Sequence, residues 1–567
     1  MNAQVPPGTF ENAEYYQRLG LRCGLEVHRQ LATAQKLFCR CPVGPYSPRY
    51  DAEILRHMRP TLSELGEYDP TALMEFKTRK QIVYRLNREN VCTYEMDDAP
   101  PFGLNRDALE RALRVAFLLR LNLVDELHVA RKQYLDGSIP TGFQRTLILG
   151  VNGFIIVNGR RIGIRQLGLE EDACREVSDI AHTRTYLTDR LSIPLIEIVT
   201  EAEAHTPHEA AEFARVIRRL CHRSGVVRTG LGTVRQDVNV SIHGGTRVEI
   251  KGVPRIRQIP ALVHFEALRQ ESLIRIAEAA RARGIGPDAF DEPEVDLTRE
   301  VRERPPNPVF EQAVAEQGRA VALVLRRCAG LLSMRTGPTR TLGSEVSDRV
   351  RVIACLDRMP NLISSDDATT PASFWDAVRS RLACSDEDSV VVVAGPRADV
   401  RTAMEEIRIR MREALVGVPR ETRRVLMDGQ TAFERVLPGP DRMYPDTDLP
   451  PIVLHDEDFE RAAALAGEPL EAIEARWGEL GLSRAQMDAL WFGDQADLFE
   501  KVRPLVRVRP TILAYLLTDF LVHLKRIGAD VARVDADLIT RLFGDPPAAR
   551  LSQKEAAELL RAAVGGS

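Results

Sequence analysis

Thr233-Val234-Arg235-Gln236-Asp237-Val238-Asn239-Val240-Ser241-Ile242 alternates charged or amide side chains with apolar ones. Successive side chains of a strand take opposite faces, so Arg235, Asp237, Asn239 and Ser241 share one face and Val234, Val238, Val240 and Ile242 the other. His243-Gly244-Gly245 makes the turn. A return strand over Thr246 to Val253 then puts Arg247, Glu249 and Lys251 on one face and Val248 and Ile250 on the other. One face of this hairpin is crowded with both charge signs. A solvated sheet face is the bland explanation. Against it, only 8 of the 77 basic residues are lysine, and Lys251 is the only one between Lys132 and Lys501. An ammonium group that can shift its pKa is not replaced by a guanidinium.

Other strands carry acids toward the same destination. Within Leu21 to His28, Gly24-Leu25-Glu26-Val27-His28 puts Glu26 and His28 on one side. Gly163 to Leu169 runs into Glu170-Glu171-Asp172, and Leu195 to Thr200 sets Glu197 into an apolar run. A carboxylate in such a run is costly to bury without a cation or a donor. Carboxylates with one imidazole suit Mg²⁺ or Mn²⁺. Separate buried salt bridges to Arg235 and Arg247 would satisfy the same acids, and both explanations stand on these residues alone.

A helix follows from Thr206-Pro207-His208-Glu209, with an N-cap, a first-turn proline and a capping-box Glu. Phe213, Val216, Ile217 and Leu220 form its apolar stripe and Ser224-Gly225 ends it. Around Arg302-Glu303-Arg304-Pro305-Pro306-Asn307-Pro308 the chain becomes proline-rich. The next stretch has its own helix and strand alternation, including Ser389-Val390-Val391-Val392-Val393-Ala394-Gly395. From Leu449-Pro450-Pro451 the text is helical with no convincing strand, closing on a capped helix over Ser552 to Val564. The expected fold is a multidomain α+β protein. A mixed or antiparallel-sheet cradle over 1–300, completed by 426–455, holds a small α/β insertion at 301–425; an all-helical domain covers 456–545 and a short tail 546–567.

A chain of 567 residues is too long for one core. Its 44% hydrophobic and 28% charged content is that of an ordinary soluble globular protein, and a net charge of -4 confines any nucleic-acid contact to a local patch. The N-terminal stretch lacks the basic start and apolar core of a signal peptide, and no run reaches the roughly 20 apolar residues of a membrane span. Nine scattered cysteines fit a reduced cytoplasmic protein. Cys39-Arg40-Cys41 with Cys92 offers three thiolates to a zinc ion, the fourth place falling to Cys23, His57 or water; ordinary free cysteines explain them equally. No Gly-Lys pair exists to form a Walker A loop, and G-x-S-x-G and H-E-x-x-H are absent. If ATP binds, it binds on the polar sheet face with a metal. If an amide supplies nitrogen, another chain hydrolyses it.

Several longer motifs carry a family resemblance. Gly24-Leu25-Glu26-Val27-His28, Lys36-Leu37-Phe38-Cys39-Arg40-Cys41, Leu169-Glu170-Glu171-Asp172-Ala173 and Pro194-Leu195-Ile196-Glu197-Ile198 resemble the B and E kinase subunits of tRNA-dependent amidotransferases. The stretch from Arg59 to Gly66, Arg131-Lys132-Gln133, Asp136-Gly137-Ser138, Gly142-Phe143-Gln144-Arg145, Gly230 to Asp237 and Met443-Tyr444-Pro445-Asp446-Thr447-Asp448 resemble the archaeal-type E subunit in particular. So does the insertion, which is similar to a domain of bacterial aspartyl-tRNA synthetases.

The resemblance implies a ligase. ATP phosphorylates the side-chain carboxylate of glutamate misacylated on glutamine tRNA, and ammonia from an asparaginase-like D subunit converts the acyl phosphate to glutaminyl-tRNA. It implies Mg²⁺ on His28, Glu171 and Glu197 with Glu26 beside them, a zinc position at Cys39, Cys41 and Cys92, and paired heterodimers. On the polar face Lys251, Arg235, Asp237 and Glu26 are the candidate catalytic residues, and Asn239, Glu249 and Arg247 the candidate ATP-binding residues. The family's tail domain, which reaches the tRNA elbow, is present only in its beginnings, which implies weaker and less selective tRNA binding. The competing expectations are a divergent relative that activates another carboxylate and a tRNA-binding scaffold without catalysis.

Overall fold

The computed structural model describes residues 12–63, 66–439 and 442–565. The N-terminal stretch up to residue 11, two residues of the Arg59 to Gly66 motif and the last two residues lie outside that range.

Ten strands build the core of the molecule: β1 (Arg22–Gln30), β2 (Ala130–Gln133), β3 (Phe143–Val157), β4 (Arg160–Glu171), β5 (Pro194–Thr200), β6 (Val234–Ser241), β7 (Val248–Val253), β8 (Glu421–Val425), β9 (Thr431–Val436) and β10 (Met443–Pro445). They pair in the order β9-β8-β7-β6-β1-β5-β4-β3-β2-β10, and Asn122–Leu123 adds an eleventh strand beside β3. Every pair is antiparallel except β7 with β8. Register aligns the polar side chains. His28 faces Glu197 on one neighbour and Arg235 on the other, Glu26 faces Asp237, and Asn239 faces Glu249. The opposite face holds Leu25, Val27, Ile196, Ile198, Val238, Val240 and Ile250, all at most 3% exposed. It packs on helices α1 (Pro207–Ser224) and α2 (Ile259–Ala282). Burying each large aliphatic side chain contributes about 1.5–3 kcal/mol, so a one-residue slip that turned this face outward is strongly disfavoured. Helix α1 has the expected N-cap, the Thr206 hydroxyl accepting from the Glu209 N–H at 3.2 Å, but Glu209 reaches back to the His205 N–H at 2.7 Å and so does not close a capping box; Gly225 ends the helix at φ 67°.

The sheet is strongly curled. β9 and β10 stand at opposite ends of the strand order, and flat strands would set them about 43 Å apart. The seven steps from Val436 to Met443 reach at most about 25 Å. The two edges therefore approach each other across the polar face, which becomes the inside of a cleft.

The inserted unit has its own four-stranded antiparallel sheet, in the order Val295–Asp296, Arg319–Leu325, Ser389–Gly395, Leu362–Ser364. Val391 and Val393 belong to one apolar cluster and Val390 and Val392 to another, so this strand is buried on both faces. That is why its text is a continuous valine run and not an alternation. Its sheet begins at Val295, ahead of position 301, and Glu421–Val425, inside the 301–425 span, is β8 of the large sheet. Buried ions join the two units. Arg269 on α2 grips Glu345 of the helix Leu342–Ile353 with two hydrogen bonds of 2.8 Å, and Arg423 on β8 reaches the same carboxylate at 3.0 Å.

A second four-stranded sheet (Ala52–Arg56, Gln81–Leu86, Thr183–Leu187, Arg175–Ile180) flanks the cradle. Beyond Asp456 the chain is helical, with Trp477 stacked on Trp491 at 5.0 Å and Ser552 capping the last helix, Gln553–Val564. One strand does occur after Leu449: Ile452–Val453 pairs with Glu126–Leu127, and two residues are too few to leave a periodic signal. Among the described residues no helix is long and apolar enough to cross a membrane.

Candidate active site

The polar face lines a cleft of about 480 Å³. Glu26, His28, Lys132, Glu197, Asp237, Glu249 and Lys251 line it from the sheet interior, with Arg435 on one edge strand, β9, and Arg442 beside the other, β10.

At one end, His28 Nε2 lies 3.3 Å from Glu197 Oε1 and 3.9 Å from Glu170 Oε1. Lys132 Nζ lies 2.8 Å from Glu170 Oε2 and 3.6 Å from Glu197 Oε2. One ligand atom each from His28, Glu170 and Glu197 fits within 4.8 Å of the others. Glu171, expected in this group, faces the other way because neighbouring residues of a strand alternate. Its carboxylate accepts from the Tyr94 hydroxyl at 2.7 Å and from the Arg145 N–H at 3.1 Å. Glu170 holds the place expected of it. Burial works against the Glu197 charge, but Lys132 and His28 hold its carboxyl well below the ordinary range. A hard-oxygen set with one imidazole fits Mg²⁺.

At the other end, Lys251 Nζ donates to Asp237 Oδ2 at 2.8 Å and to Glu249 Oε1 at 2.5 Å. The Gly252 N–H donates to Asp237 Oδ1 at 2.8 Å, and Asn239 Nδ2 to Glu26 Oε1 at 3.1 Å. Burial, then the Glu249, Glu197 and Asp237 charges, push the Glu26 carboxyl up to about 7. Asp237, which burial alone would raise, is held well below the carboxylate range by Lys251, His28 and the Gly252 N–H. Arg247 lies on the cleft wall. Arg235 turns aside: its guanidinium donates to Asp172 at 3.0 Å, and Asp172 also takes Gln30 at 2.7 Å.

Lys132, Glu170, Arg435 and Arg442 were not among the expected site residues. Lysine scarcity singles out Lys132 as much as Lys251. Nothing in the text distinguishes two arginines among 69.

The cysteines do assemble. Cys39, Cys41, Cys92 and Glu95 bring ligand atoms within 4.8 Å of one another, and neither Cys23 nor His57 belongs to the group. The thiols of Cys39 and Cys41 hold Cys92 well below the ordinary thiol range. Glu95 is fixed by a fully buried Lys36, whose Nζ sits 2.6 Å from Oε1. Three thiols and a carboxylate match a tetrahedral zinc donor set.

The sequence that builds this cleft has known relatives. Residues 21–460 match the family model described as the GatB/GatE catalytic domain. The chain belongs to the GatB/GatE family. It is 36% identical over 555 residues to the E subunit of the glutamyl-tRNA(Gln) amidotransferase of Methanocaldococcus jannaschii, covering 96% of this chain and 86% of that protein. The corresponding E subunits of Sulfolobus acidocaldarius and Sulfurisphaera tokodaii are 36% identical over 557 residues and 37% over 539. The first match covers 96% of this chain and 86% of its relative, the second 93% and 84%. Membership of the GatB/GatE family makes this chain an enzyme component of the ligase class, working in protein biosynthesis.

Proposed function

We propose that this chain activates the side-chain carboxylate of glutamate carried on glutamine tRNA, using ATP, and that ammonia then converts it to glutaminyl-tRNA. The observation that carries the reading is the pairing of two ion clusters on one cleft wall: His28, Glu170 and Glu197 with Lys132 at one end, Asp237 and Glu249 with Lys251 at the other.

A carboxylate resists attack by ammonia because it carries negative charge and has no good leaving group. Transfer of the γ-phosphoryl group forms an acyl O–P bond, breaks the bond to ADP and makes phosphate the leaving group. The amine attacks, phosphate departs and the amine loses a proton. Mg²⁺ on His28, Glu170 and Glu197 would offset charge on the phosphoryl oxygens. Lys132 and Lys251 are fixed beside the reaction by carboxylates, so little reorganisation precedes transfer. Glu26, whose carboxyl burial and neighbouring acids push up to about 7, would accept the proton that the attacking ammonia loses. Asn239 orients Glu26, and Arg235 supports the strand end through Asp172. Arg247 and Glu249 face the nucleotide.

The zinc proposed at Cys39, Cys41, Cys92 and Glu95 is structural, since all four positions are taken by protein. The helical region 456–545 and the insertion serve the tRNA. An asparaginase-like D subunit supplies ammonia in paired heterodimers in the cytoplasm.

The test combines the purified chain with ATP, Mg²⁺, ammonium chloride and glutamyl-tRNA made on glutamine tRNA. Glutamine released by deacylation supports the reading. ATP turnover on other acids without glutaminyl-tRNA overturns the substrate and favours a relative that activates another carboxylate. No ATP turnover on any acid overturns the kinase reading.

A further inference from the structure

The cations of the cleft differ in one respect. Lys132, Lys251 and Arg435 each meet a carboxylate, Arg435 through Asp136 at 3.1 Å. Arg442 and Arg247 meet none among the described residues, but Arg247 is exposed whereas Arg442 is partly buried, its guanidinium over the Tyr134 ring, 5.5 Å from the centroid. A partly buried guanidinium without an ion-pair partner is poised for an anion, and its planar fork matches phosphate oxygens.

Placement narrows the anion. Arg442 lines the cleft together with Glu197 of one cluster and Glu249 of the other. It precedes β10, where Met443 pairs with Lys132 of β2, and it lines the same cleft as Lys132 and Lys251. An anion seated between the clusters meets Lys132, Lys251 and Arg442, all of which line the cleft. The stack on Tyr134 fixes the guanidinium beforehand and reduces the side-chain entropy lost on binding.

We propose that Arg442 is a phosphate-binding residue of the cleft, which holds the polyphosphate of a nucleoside triphosphate together with Lys132 and Lys251. This rests on the ATP-dependent reading given above.

The test measures binding of ATP with Mg²⁺, and separately of inorganic triphosphate with Mg²⁺, by calorimetry on the wild-type chain, R442A, R442K and Y134L. R442A should bind both probes about 10- to 100-fold more weakly. R442K, which keeps the charge and loses the fork, should fall between R442A and wild type. Y134L, which keeps the guanidinium and loses its support, should weaken binding less than R442A. Thermal melts identify variants that fold, and R442K decides the matter if R442A does not. Unchanged affinity in folded R442A, or in folded R442K when R442A is lost, overturns the inference while leaving the kinase reading intact. Absence of ATP binding by the wild-type chain overturns that reading instead.

Discussion

Lys132 Nζ lies 2.8 Å from Glu170 Oε2, so an ammonium group already shares the carboxylates that would receive a divalent cation. Glu170 and Glu197 raise the Lys132 pKa against the effect of burial, so the charge persists at every physiological pH. The two cations must divide the carboxylate oxygens between them. K132M should therefore lose transamidation activity by about 100-fold or more, as expected when one preorganised donor is removed. Its affinity for Mn²⁺, read by electron paramagnetic resonance, should not weaken. Parallel loss of metal binding would make Lys132 a scaffold for the site.

Glu170 and Glu171 are neighbours in sequence with separate tasks. E170Q should weaken Mn²⁺ binding at least about 10-fold. E171Q should leave metal affinity unchanged and destabilise the fold by about 1–3 kcal/mol, because the Tyr94 hydroxyl and the Arg145 N–H lose a charged acceptor. Metal titration with denaturant melts separates the two, and the reverse pattern would put Glu171 in the metal set.

Zinc at the cysteine cluster should be measurable by atomic absorption at one ion per chain. C41S or C92S should lower that content. Tyr94 lies between Cys92 and Glu95 and donates to Glu171, so chelation should also increase protease cleavage near residues 90–98. A chain that binds no zinc yet keeps this loop protected would remove the structural role.

The buried ions between the insertion and the cradle give a pH dependence with a definite sign. Burial alone would raise the Glu345 carboxyl, but Arg269 and Arg423 hold it well below its ordinary value. Its contribution to stability is complete above the unfolded value of about 4.3 and is lost as pH falls toward the folded one. Acid melts should show the wild-type chain losing stability below about pH 4.5. E345Q should be destabilised by about 3–5 kcal/mol at pH 7, because three buried guanidinium groups, of Arg269, Arg410 and Arg423, lose a shared counter-charge, and its acid dependence should be shallower.

Much of this was legible in the text because it depends on short-range periodicity. Arg235 to Ser241 could be assigned to one face from alternation alone, and register then delivered Glu26 and His28 to Asp237 and Arg235. The valine run at 390–393 and the cap at Thr206 were equally local. What resisted reading was the choice between adjacent acids at a strand end, where parity depends on pairing with Leu195, and the arrival of Arg442 beside the edge strand β10. Glu95 escaped because its role follows from a loop that brings it back on Cys39 and Cys41.

The pairing of β7 with β8 runs parallel, and two parallel strands cannot be joined by a tight turn; a crossover must carry the chain back to its starting side. Residues between Val253 and Glu421 are that crossover. The cost of closing such a connection grows only logarithmically with its length, so the sheet sets no upper limit on what is housed there. The seam beside Lys251 is a place where a whole module can be lengthened, shortened or exchanged while every antiparallel neighbour of the reactive face keeps its partner.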